Sequence, residues 1–231
     1  MILSLCEGSA LTSLACAITP DVMQASASSF DALFASLHAC RVCRDAPRYG
    51  AALSHEPRPV FQVSRTARLC IAGQAPGARV HASGRPYTDP SGVRLRSWLA
   101  IGEDVFYDAS KVAIVPMGFC FPGLDGHGGD LPPRRECAEV WRARVFAELP
   151  NLELILLVGL YAQKWHLGAA ASGGLTATVQ RWREIFDAQA RPRLMPMPHP
   201  SWRNNAWLKN NPWFEAELLP ALRREIARVT A

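Results

Sequence analysis

Four cysteines occur with a spacing that could hold a metal. Cys40 and Cys43 form a C-x2-C pair, and Cys120 and Cys137 follow as a second, wider pair. A soft-metal centre needs a close thiolate pair on one turn plus further thiolates that the fold brings in. The sequence therefore predicts that these four side chains bind an iron–sulfur cluster or, alternatively, zinc. The simpler alternative is a bare turn with two buried thiols.

Two loops punctuated by proline and glycine form the second group of chemically useful residues. Gln74-Ala75-Pro76-Gly77 directly follows the apolar run Leu69–Ala72, and His199-Pro200-Ser201 follows Leu194–Met197. Ligands of open α/β sheets bind beyond the carboxyl ends of the strands. If both runs are parallel strands, we expect the two loops to face one cleft. The alternative is that both are ordinary strand-ending turns.

The elements that must position these loops alternate along the chain. Short apolar runs predict strands at Leu69–Ala72, Val112–Met117, Leu152–Val158 and Leu194–Met197. Longer stretches between and after them predict helices at Phe30–Leu37, Pro90–Ala100, Arg134–Leu149, Gly159–Leu167, Leu175–Ala188 and Pro212–Val229. Alternating strands and helices predict a three-layer α/β/α sandwich around a central, mostly parallel four-stranded sheet.

Composition narrows the class of protein. The chain has 231 residues, of which 49% are hydrophobic and 19% charged, so one domain with a sizeable core is expected. A formal charge of +5 is compatible with a polyanionic partner. No apolar run approaches the roughly 18 residues that span a bilayer. Seven cysteines without a secretory framework favour a reducing cytoplasm.

The first 28 residues differ from the rest in being rich in serine and alanine and lacking lysine and arginine. A secretory signal would begin with positive charge, whereas here Glu7 occupies that region. We therefore expect residues 1–28 to be a poorly ordered extension and residues 29–231 to form the domain. Cys6 and Cys16 lie in the extension and are expected to have no role, and Cys70 is expected to be a core thiol.

Three segments resemble the uracil-DNA glycosylase superfamily. Ile71–Gly77 resembles its first signature motif and His199-Pro200-Ser201 its second. Ser83-Gly84-Arg85-Pro86-Tyr87, followed by Ser91-Gly92, resembles a segment of the iron–sulfur branch, and the order of the four cysteines is similar to that branch. The resemblance runs from about Phe30 to the C-terminus, and residues 202–214 resemble a proteobacterial glycosylase-like subgroup.

The resemblance implies a DNA-repair glycosylase that flips a uracil or related deaminated base out of DNA and excises it by hydrolysis. It further implies a structural [4Fe–4S] cluster on Cys40, Cys43, Cys120 and Cys137, and a cytoplasmic, nucleoid-associated enzyme. In such a site the main chain of Gln74, Ala75, Pro76 and Gly77 reads the base. Tyr87 stacks on the flipped ring, and His199 donates to the leaving base.

Three positions depart from the family pattern. Ala75 occupies the position of a water-positioning Asp in the best-studied branch, and Gln74 replaces the Glu of the iron–sulfur branch. Pro116 stands where a base-reading Asn is usual. Asp89 is the candidate that replaces the missing carboxylate and orients water, and Gln74 and His199 are the other two candidate catalytic residues. Because Asp before Pro90 is also a good helix N-cap, capping is the alternative role.

DNA contacts are expected on both rims of the cleft. The predicted contacts are Arg94, Arg96, Ser201, Trp202, Arg203 and Asn204. The arginines suit phosphates, and Trp202 suits a wedge that fills the gap left by the flipped base or, alternatively, packs its loop onto the body. With no lysine in a motif, the predicted enzyme is monofunctional. The rivals are an inactive nucleic-acid-binding protein of the same fold and a metal-clustered interaction protein.

Overall fold

A four-stranded parallel sheet forms the centre of the computed structural model, which describes residues 20–188 and 191–231. The strands are β1 (Leu69–Ala72), β2 (Val112–Ile114), β3 (Leu154–Val158) and β4 (Arg193–Met197). They lie in the order β2-β1-β3-β4, and every neighbouring pair is parallel. All four predicted strands are therefore present, in the parallel arrangement that the alternating elements indicated.

Helices connect the strands and cover both faces of the sheet. They are α1 (Pro20–His38), α2 (Val42–Asp45), α3 (Ala78–Ser83), α4 (Pro90–Leu99), α5 (Glu103–Phe106), α6 (Arg135–Ala147), α7 (Leu160–Leu167), α8 (Gly174–Gln180), α9 (Trp182–Asp187), α10 (Asn205–Asn210) and α11 (Leu219–Thr230). Short 3-10 turns lie at Gly168–Ala171 and Trp202–Asn204, and a π-helical turn at Phe214–Leu218 leads into α11.

The core divides into two halves because successive strand residues point to opposite faces of the sheet. Leu69 and Ile71 of β1 belong to a buried cluster that includes side chains of α4 and α11. Cys70 and Ala72 belong to the other cluster, which includes side chains of α1 and α6. Each strand residue of β1, β2 and β3 is buried, as expected for a sheet covered on both faces. The three-layer α/β/α sandwich is confirmed.

The strand order creates a crevice at the carboxyl ends of the strands. From β1 the chain moves outward to β2, and then returns across the sheet to β3 on the other side of β1. Loops that leave β1 and β3 therefore turn in opposite directions. Such a switch point is where open α/β sheets bind their ligands.

Several element boundaries differ from those predicted. β2 ends at Ile114 rather than Met117. The N–H groups of Val115 and Met117 still bond to β1 and its loop, but Pro116 between them has no N–H to continue the ladder. The helix predicted at Leu175–Ala188 is two helices that meet at Arg181. Helices α2, α3, α5 and α10 were not predicted.

The predicted extension at residues 1–28 lies largely outside the described residues. Only the backbone of α1, from Pro20 onward, belongs to the described part of that segment. The division into residues 1–28 and 29–231 therefore stays a prediction.

Candidate active site at the carboxyl ends of the strands

A cleft of about 870 Å³ opens at the carboxyl ends of β1 and β4. Residues 73–80 form one wall and residues 199–204 another. Tyr87, Asp89 and Arg94 line the cleft from the segment that leads into α4. The structure thus brings together the base-binding, catalytic and most of the DNA-binding residues that the sequence singled out, although they are far apart along the chain.

The loop after β1 lines the cleft and is bonded to the end of the neighbouring strand. The carbonyls of Gly73 and Gln74 accept hydrogen bonds of 3.0 Å from the N–H groups of Met117 and Gly118. These bonds pin the loop to the end of the neighbouring strand. In the described part of the chain, the N–H groups of Gln74 and Ala75 take part in no main-chain hydrogen bond. They are therefore available to the edge of a ligand.

Tyr87 is held in an unusual backbone conformation beside this loop. Its φ of 55° lies in the left-handed region, which costs a bulky residue about 1–3 kcal/mol. The Tyr87 carbonyl accepts hydrogen bonds from Arg96 and from the Tyr107 hydroxyl. Gly92 lies against the same carbonyl, where an added Cβ would stand only 1.8 Å from the oxygen. These contacts fix the position of the ring at the cleft.

The ring of Tyr87 sits on the start of the cleft loop. It packs edge-on against Phe106, with ring centroids 5.9 Å apart. Its hydroxyl would lie 2.7 Å from a Cβ built on Gly73, so only glycine fits beneath it. Burial, followed by the nearby charge of Asp89, raises the pKa of Tyr87 well above its ordinary value. The ring therefore presents a neutral, rigidly placed phenol to the cleft.

Asp89 occupies the N-cap position of α4, but its side chain makes no capping hydrogen bond. The helix instead begins with Pro90, which needs no partner for an N–H, and the Asp89 carbonyl accepts from Gly92 at 2.9 Å. The capping alternative is therefore not what the structure shows. The carboxylate lines the cleft, and its charge acts on Tyr87, His199 and Asp130.

His199 has a tautomer that its surroundings determine. The N–H of Ser201 donates to His199 Nδ1 at 3.2 Å, so in the neutral ring the proton sits on Nε2. Burial lowers the pKa of His199, and the charge of Asp89 opposes part of this change. The ring therefore stays neutral near pH 7 and offers Nε2–H as a donor. Gly159 lies directly beside it, where an added Cβ would be 3.6 Å from His199 Cβ.

Asp130 is a second cleft carboxylate, which the sequence reasoning missed. It lines the cleft beside Gly77, with Oδ2 3.3 Å from the Cβ position of that glycine. Desolvation raises the pKa of Asp130, and the charges of Asp89 and Asp125 raise it further, whereas Arg203 acts to lower it. The one available signal was an acidic residue directly after the glycine-rich stretch 123–129.

The glycine-rich stretch 123–129 forms a hydrogen-bonded turn. Asp125 Oδ1 accepts from the N–H groups of His127 and Gly129, each at 2.8 Å. An isolated bridge between Leu124 and Asp130 closes the turn. The turn therefore holds Asp130 at the mouth of the cleft.

Five of the six predicted DNA contacts line the cleft, namely Arg94, Ser201, Trp202, Arg203 and Asn204. Arg94 donates to the Ser201 carbonyl at 3.1 Å, and Asn204 donates to the His199 carbonyl at 2.7 Å, so both also brace the second loop. The Trp202 side chain is 70% exposed, so it does not pack its loop onto the body of the protein, which was the alternative role.

Arg96 has other partners than the predicted phosphates. Its side chain is only 13% exposed, pairs with Glu103 at 2.8 Å and supports the Tyr87 carbonyl. Its contact with DNA stays a prediction, and in the structure Arg96 holds the ring-bearing segment in place.

The four predicted metal-binding cysteines lie where α1, α2 and α6 meet the loop after β2. Cys40 follows α1, Cys43 is in α2, Cys120 is in the loop, and Cys137 is in the first turn of α6. Two of the sulfurs accept hydrogen bonds of 3.3 Å: Cys40 from the indole N–H of Trp141, and Cys137 from the N–H of Phe119. Such N–H donors stabilise metal-bound thiolates.

Burial raises the pKa of the Cys43 thiol to about 11 and that of Cys120 to about 12. These cysteines are therefore neutral thiols unless a cation deprotonates them. Among the described residues, no group of three or more His, Cys, Asp or Glu side chains is already arranged around a metal position. The donor chemistry fits a thiolate-ligated metal, and the metal assignment stays a prediction.

No helix in the described ranges is both long and apolar enough to cross a membrane. The cytoplasmic location expected from the cysteine content stays a prediction.

The chain matches the family model described as the uracil DNA glycosylase superfamily over residues 60–223, which is more than half of its length. The matched span contains all four strands, both cleft loops, Tyr87 and Asp89. A family whose members flip a base from DNA and cleave its bond to the sugar fits a cleft with exposed loop N–H groups, a placed aromatic ring and a neutral histidine donor. The chain belongs to the uracil DNA glycosylase superfamily.

Proposed function

We propose that the protein is a monofunctional DNA glycosylase that excises uracil or a related deaminated base by hydrolysis. The observation that carries this proposal is the forced tautomer of His199. Its Nδ1 is engaged by Ser201, so its Nε2–H is presented in the same cleft as the open main chain of Gln74 and Ala75. A fixed donor in the cleft that would hold the base is what a departing base anion requires.

The base would be held between the loop after β1 and Tyr87. The free N–H groups of Gln74 and Ala75, with the Gln74 amide, can pair with the edge of a flipped base. The Tyr87 ring offers a face for stacking. Because Pro116 stands in the cleft at the position of the family's base-reading Asn, main-chain groups carry more of the recognition. We therefore expect excision to extend beyond uracil to other deaminated bases.

The reaction needs a water molecule and a leaving base, and it forms no covalent enzyme intermediate. Water attacks C1′ of the sugar while the N-glycosidic bond breaks and its electron pair moves to the base. Asp89, whose carboxylate is not used as a cap, orients the water and takes its proton. His199 stabilises the negative charge on the base through Nε2–H. The residues lining the described cleft include no lysine, which supports hydrolysis without a Schiff-base step.

DNA would lie across the rims of the cleft. Arg203 and Arg94 can contact phosphates, and Ser201 and Asn204 offer polar groups on the same loop. Trp202 is exposed beside the cleft and can fill the space that the flipped nucleotide leaves in the duplex.

The four cysteines would hold a [4Fe–4S] cluster, with zinc as the alternative metal. Bound there, the metal would cross-link α1, α2 and α6 to the loop after β2 and so stabilise the fold; it takes no part in excision. The N–H donors to Cys40 and Cys137 support thiolate ligation at this position.

Single-turnover excision on uracil-containing single- and double-stranded DNA tests the proposal. A panel with xanthine, hypoxanthine and modified uracils measures base preference. Wild-type protein should release a base, and His199→Ala should slow release by about 10²-fold or more, as for loss of one oxyanion donor. DNA binding should change little. Binding without release of any base on the panel would contradict the proposal and leave a nucleic-acid-binding protein of the same fold.

A further inference from the structure

A second cavity, of about 470 Å³, lies away from the active-site cleft and shares no lining residue with it. It is bounded by α6, α7 and the segments that lead into β3 and β4, and so lies toward the opposite ends of these strands. Its walls are mainly apolar, including Phe146, Leu152, Ile155 and Leu194. A mainly apolar cavity of this size with a few polar groups is typical of sites for small organic ligands.

Arg142 places a buried positive charge, without a described carboxylate partner, beside this cavity. Its side chain is fully buried, and it donates to the carbonyls of Val115 and Pro116 at 3.2 and 2.9 Å. Its charge interacts with the Cys70 and Cys137 side chains and with no described carboxylate, and its Nε has no hydrogen-bond partner among the described residues. Burial lowers the pKa of Arg142 to about 10, so it remains charged at pH 7. A buried charge of this kind is costly unless an anion offsets it.

His166 connects this charge to the cavity. Arginine can only donate, so the 2.6 Å contact between Arg142 Nη2 and His166 Nε2 makes Nε2 the acceptor. The neutral ring then carries its proton on Nδ1. Nδ1 makes no hydrogen bond to any described residue, although His166 lines the cavity. A donor polarised by a guanidinium on its other nitrogen is suited to an anionic acceptor.

The aromatic side chains around His166 complete the features of a ligand site. Phe146 packs edge-on against the His166 ring, with centroids 5.3 Å apart. Trp165 also lines the cavity and is 46% exposed, which is unusual for a large apolar side chain. The Arg142 guanidinium lies over both rings, 4.9 Å from the Phe146 centroid and 5.9 Å from the Trp165 centroid, so the cation, the histidine and the two aromatic rings form one cluster on the cavity wall.

We propose that this cavity binds a small organic carboxylate with an aromatic body. The carboxylate accepts the Nδ1–H of His166, and the aromatic body packs against Phe146 and Trp165. The ligand's charge then lies one imidazole ring away from Arg142 and offsets the buried cation. This site is separate from the cleft and does not depend on the proposed excision activity.

Calorimetric titration of the full-length protein, with its native metal content, tests the charge requirement. The probes are indole-3-acetate and its neutral isostere indole-3-acetamide. We expect the carboxylate to bind at least about tenfold more tightly than the amide, because only the carboxylate makes a charge-assisted hydrogen bond. Equal affinity of the two probes, or no heat from indole-3-acetate at millimolar concentration, would overturn the proposal.

Two variants locate the binding. His166→Phe removes the donor but keeps an aromatic ring, and Ala143→Phe fills the exposed rim of the cavity. Both should weaken indole-3-acetate binding by about tenfold or more. Tyr161→Ala, on the exposed side of α7 and outside the cavity, is the matched control and should bind like wild type. If His166→Phe does not fold, Ala143→Phe decides. Wild-type affinity in a folded Ala143→Phe protein would show that the cavity is not the site.

Discussion

The charge of Asp89 affects several groups of the cleft at once. Its charge acts on Tyr87, Asp130 and His199, while its side chain leaves the helix end uncapped. Each of these neighbours is kept in its neutral form or moved toward it by burial. Asp89 therefore shares the cleft with a neutral phenol and a neutral imidazole, a setting in which a carboxylate can order and deprotonate water.

The first prediction concerns Asp89→Asn. Since the carboxylate makes no capping bond, the melting temperature should stay within a few degrees of wild type. Single-turnover excision should fall by about 10²-fold, because an amide cannot accept the proton of the attacking water. Asp130→Asn is the matched control at the other carboxylate of the cleft, and we expect it to lose less than about tenfold. A wild-type rate in Asp89→Asn with a large loss in Asp130→Asn would transfer the role to Asp130.

The second prediction concerns the contact between Gly73 and Tyr87. A Cβ on Gly73 would lie 2.7 Å from the Tyr87 hydroxyl but 3.6 Å from Cζ of the ring. Gly73→Ala should therefore displace the ring, lower stability and weaken excision. Adding Tyr87→Phe removes the clashing oxygen and should recover much of both losses.

Thermal unfolding and excision are measured for the two single variants and the double variant, and a double-mutant cycle gives the interaction free energy between positions 73 and 87. We expect an interaction free energy of about 1 kcal/mol or more, within the range for residues in contact. Additive effects would mean that the ring does not rest on Gly73.

At the scale of elements, short helices and loops depend on contacts from elsewhere in the chain. Arg58 donates to the carbonyls of His81 and Ala82 at the end of α3, and Gly84 ends this helix in the left-handed conformation. The loop after β4 is braced by Arg94 from α4 and by Asn204 from its own 3-10 turn. These hydrogen bonds explain how a cleft formed mostly by loops can hold its hydrogen-bond donors in place without a bound ligand.

The third prediction concerns the metal that would join α1, α2 and α6. Protein purified without oxygen should be brown, with broad absorption near about 400 nm from thiolate-to-iron charge transfer. Cys120→Ser should lose colour and folded yield, because it removes one ligand and the cross-link. Cys16→Ser, outside the four predicted ligands, should keep both. A colourless protein that contains about one zinc per chain would favour the alternative metal, and a protein without metal would contradict both assignments.

At the scale of the whole molecule, a net charge of +5 favours DNA without determining where it binds. The cleft rim carries Arg79, Arg94 and Arg203. Some arginines elsewhere on the surface are paired with carboxylates, such as Arg41 with Asp45 and Glu56. The arginines on the cleft rim are therefore the cations whose contribution to DNA binding can be tested by substitution.

The fourth prediction is that Arg203→Ala weakens DNA binding and reduces its salt dependence. Loss of one phosphate contact should lower the slope of log affinity against log salt by about 1. Arg224→Ala, which removes the same charge from the exposed surface of α11, should leave the slope unchanged. The measurement is DNA binding across a range of salt concentrations. Equal slopes for wild type and Arg203→Ala would place DNA elsewhere.

The fifth prediction concerns stability in acid. Burial, and then the charge of Arg142, lowers the pKa of His166 to about 3, from an ordinary value near 6.5. The unfolded chain therefore binds a proton that the folded chain does not. The contribution of His166 to the free energy of unfolding is fully present above about pH 6.5. It is lost as the pH falls toward 3, by at most about 1.4 kcal/mol per pH unit.

When the pH is lowered from 7.5 to 5, the melting temperature of His166→Phe should therefore fall less than that of the wild type. His127→Phe, on the exposed turn, should behave like wild type. Identical acid sensitivity of wild type and His166→Phe would show that protonation of His166 does not limit the stability of the fold.

The sequence by itself determined the sheet and the loops at its carboxyl ends. Continuous apolar runs such as Leu69–Ala72 are readable because buried parallel strands need apolar side chains on both faces. The residues of Gln74–Gly77 and His199–Ser201 follow such runs directly, so the sequence also indicated their common cleft. Boundaries were less certain where proline interrupts a ladder, as at Pro116, since the chain continues in the same direction without regular pairing.

The tertiary structure alone decided the roles that depend on contacts between distant segments. Asp130 enters the cleft because a turn closed by Asp125 directs it there, and Arg96 turns inward because Glu103 and the Tyr87 carbonyl are its partners. The tautomers of His199 and His166 also follow from neighbours that no local pattern reveals. Spacing along a chain predicts which face or loop a residue occupies, whereas hydrogen-bond partners and burial are set only when elements pack together.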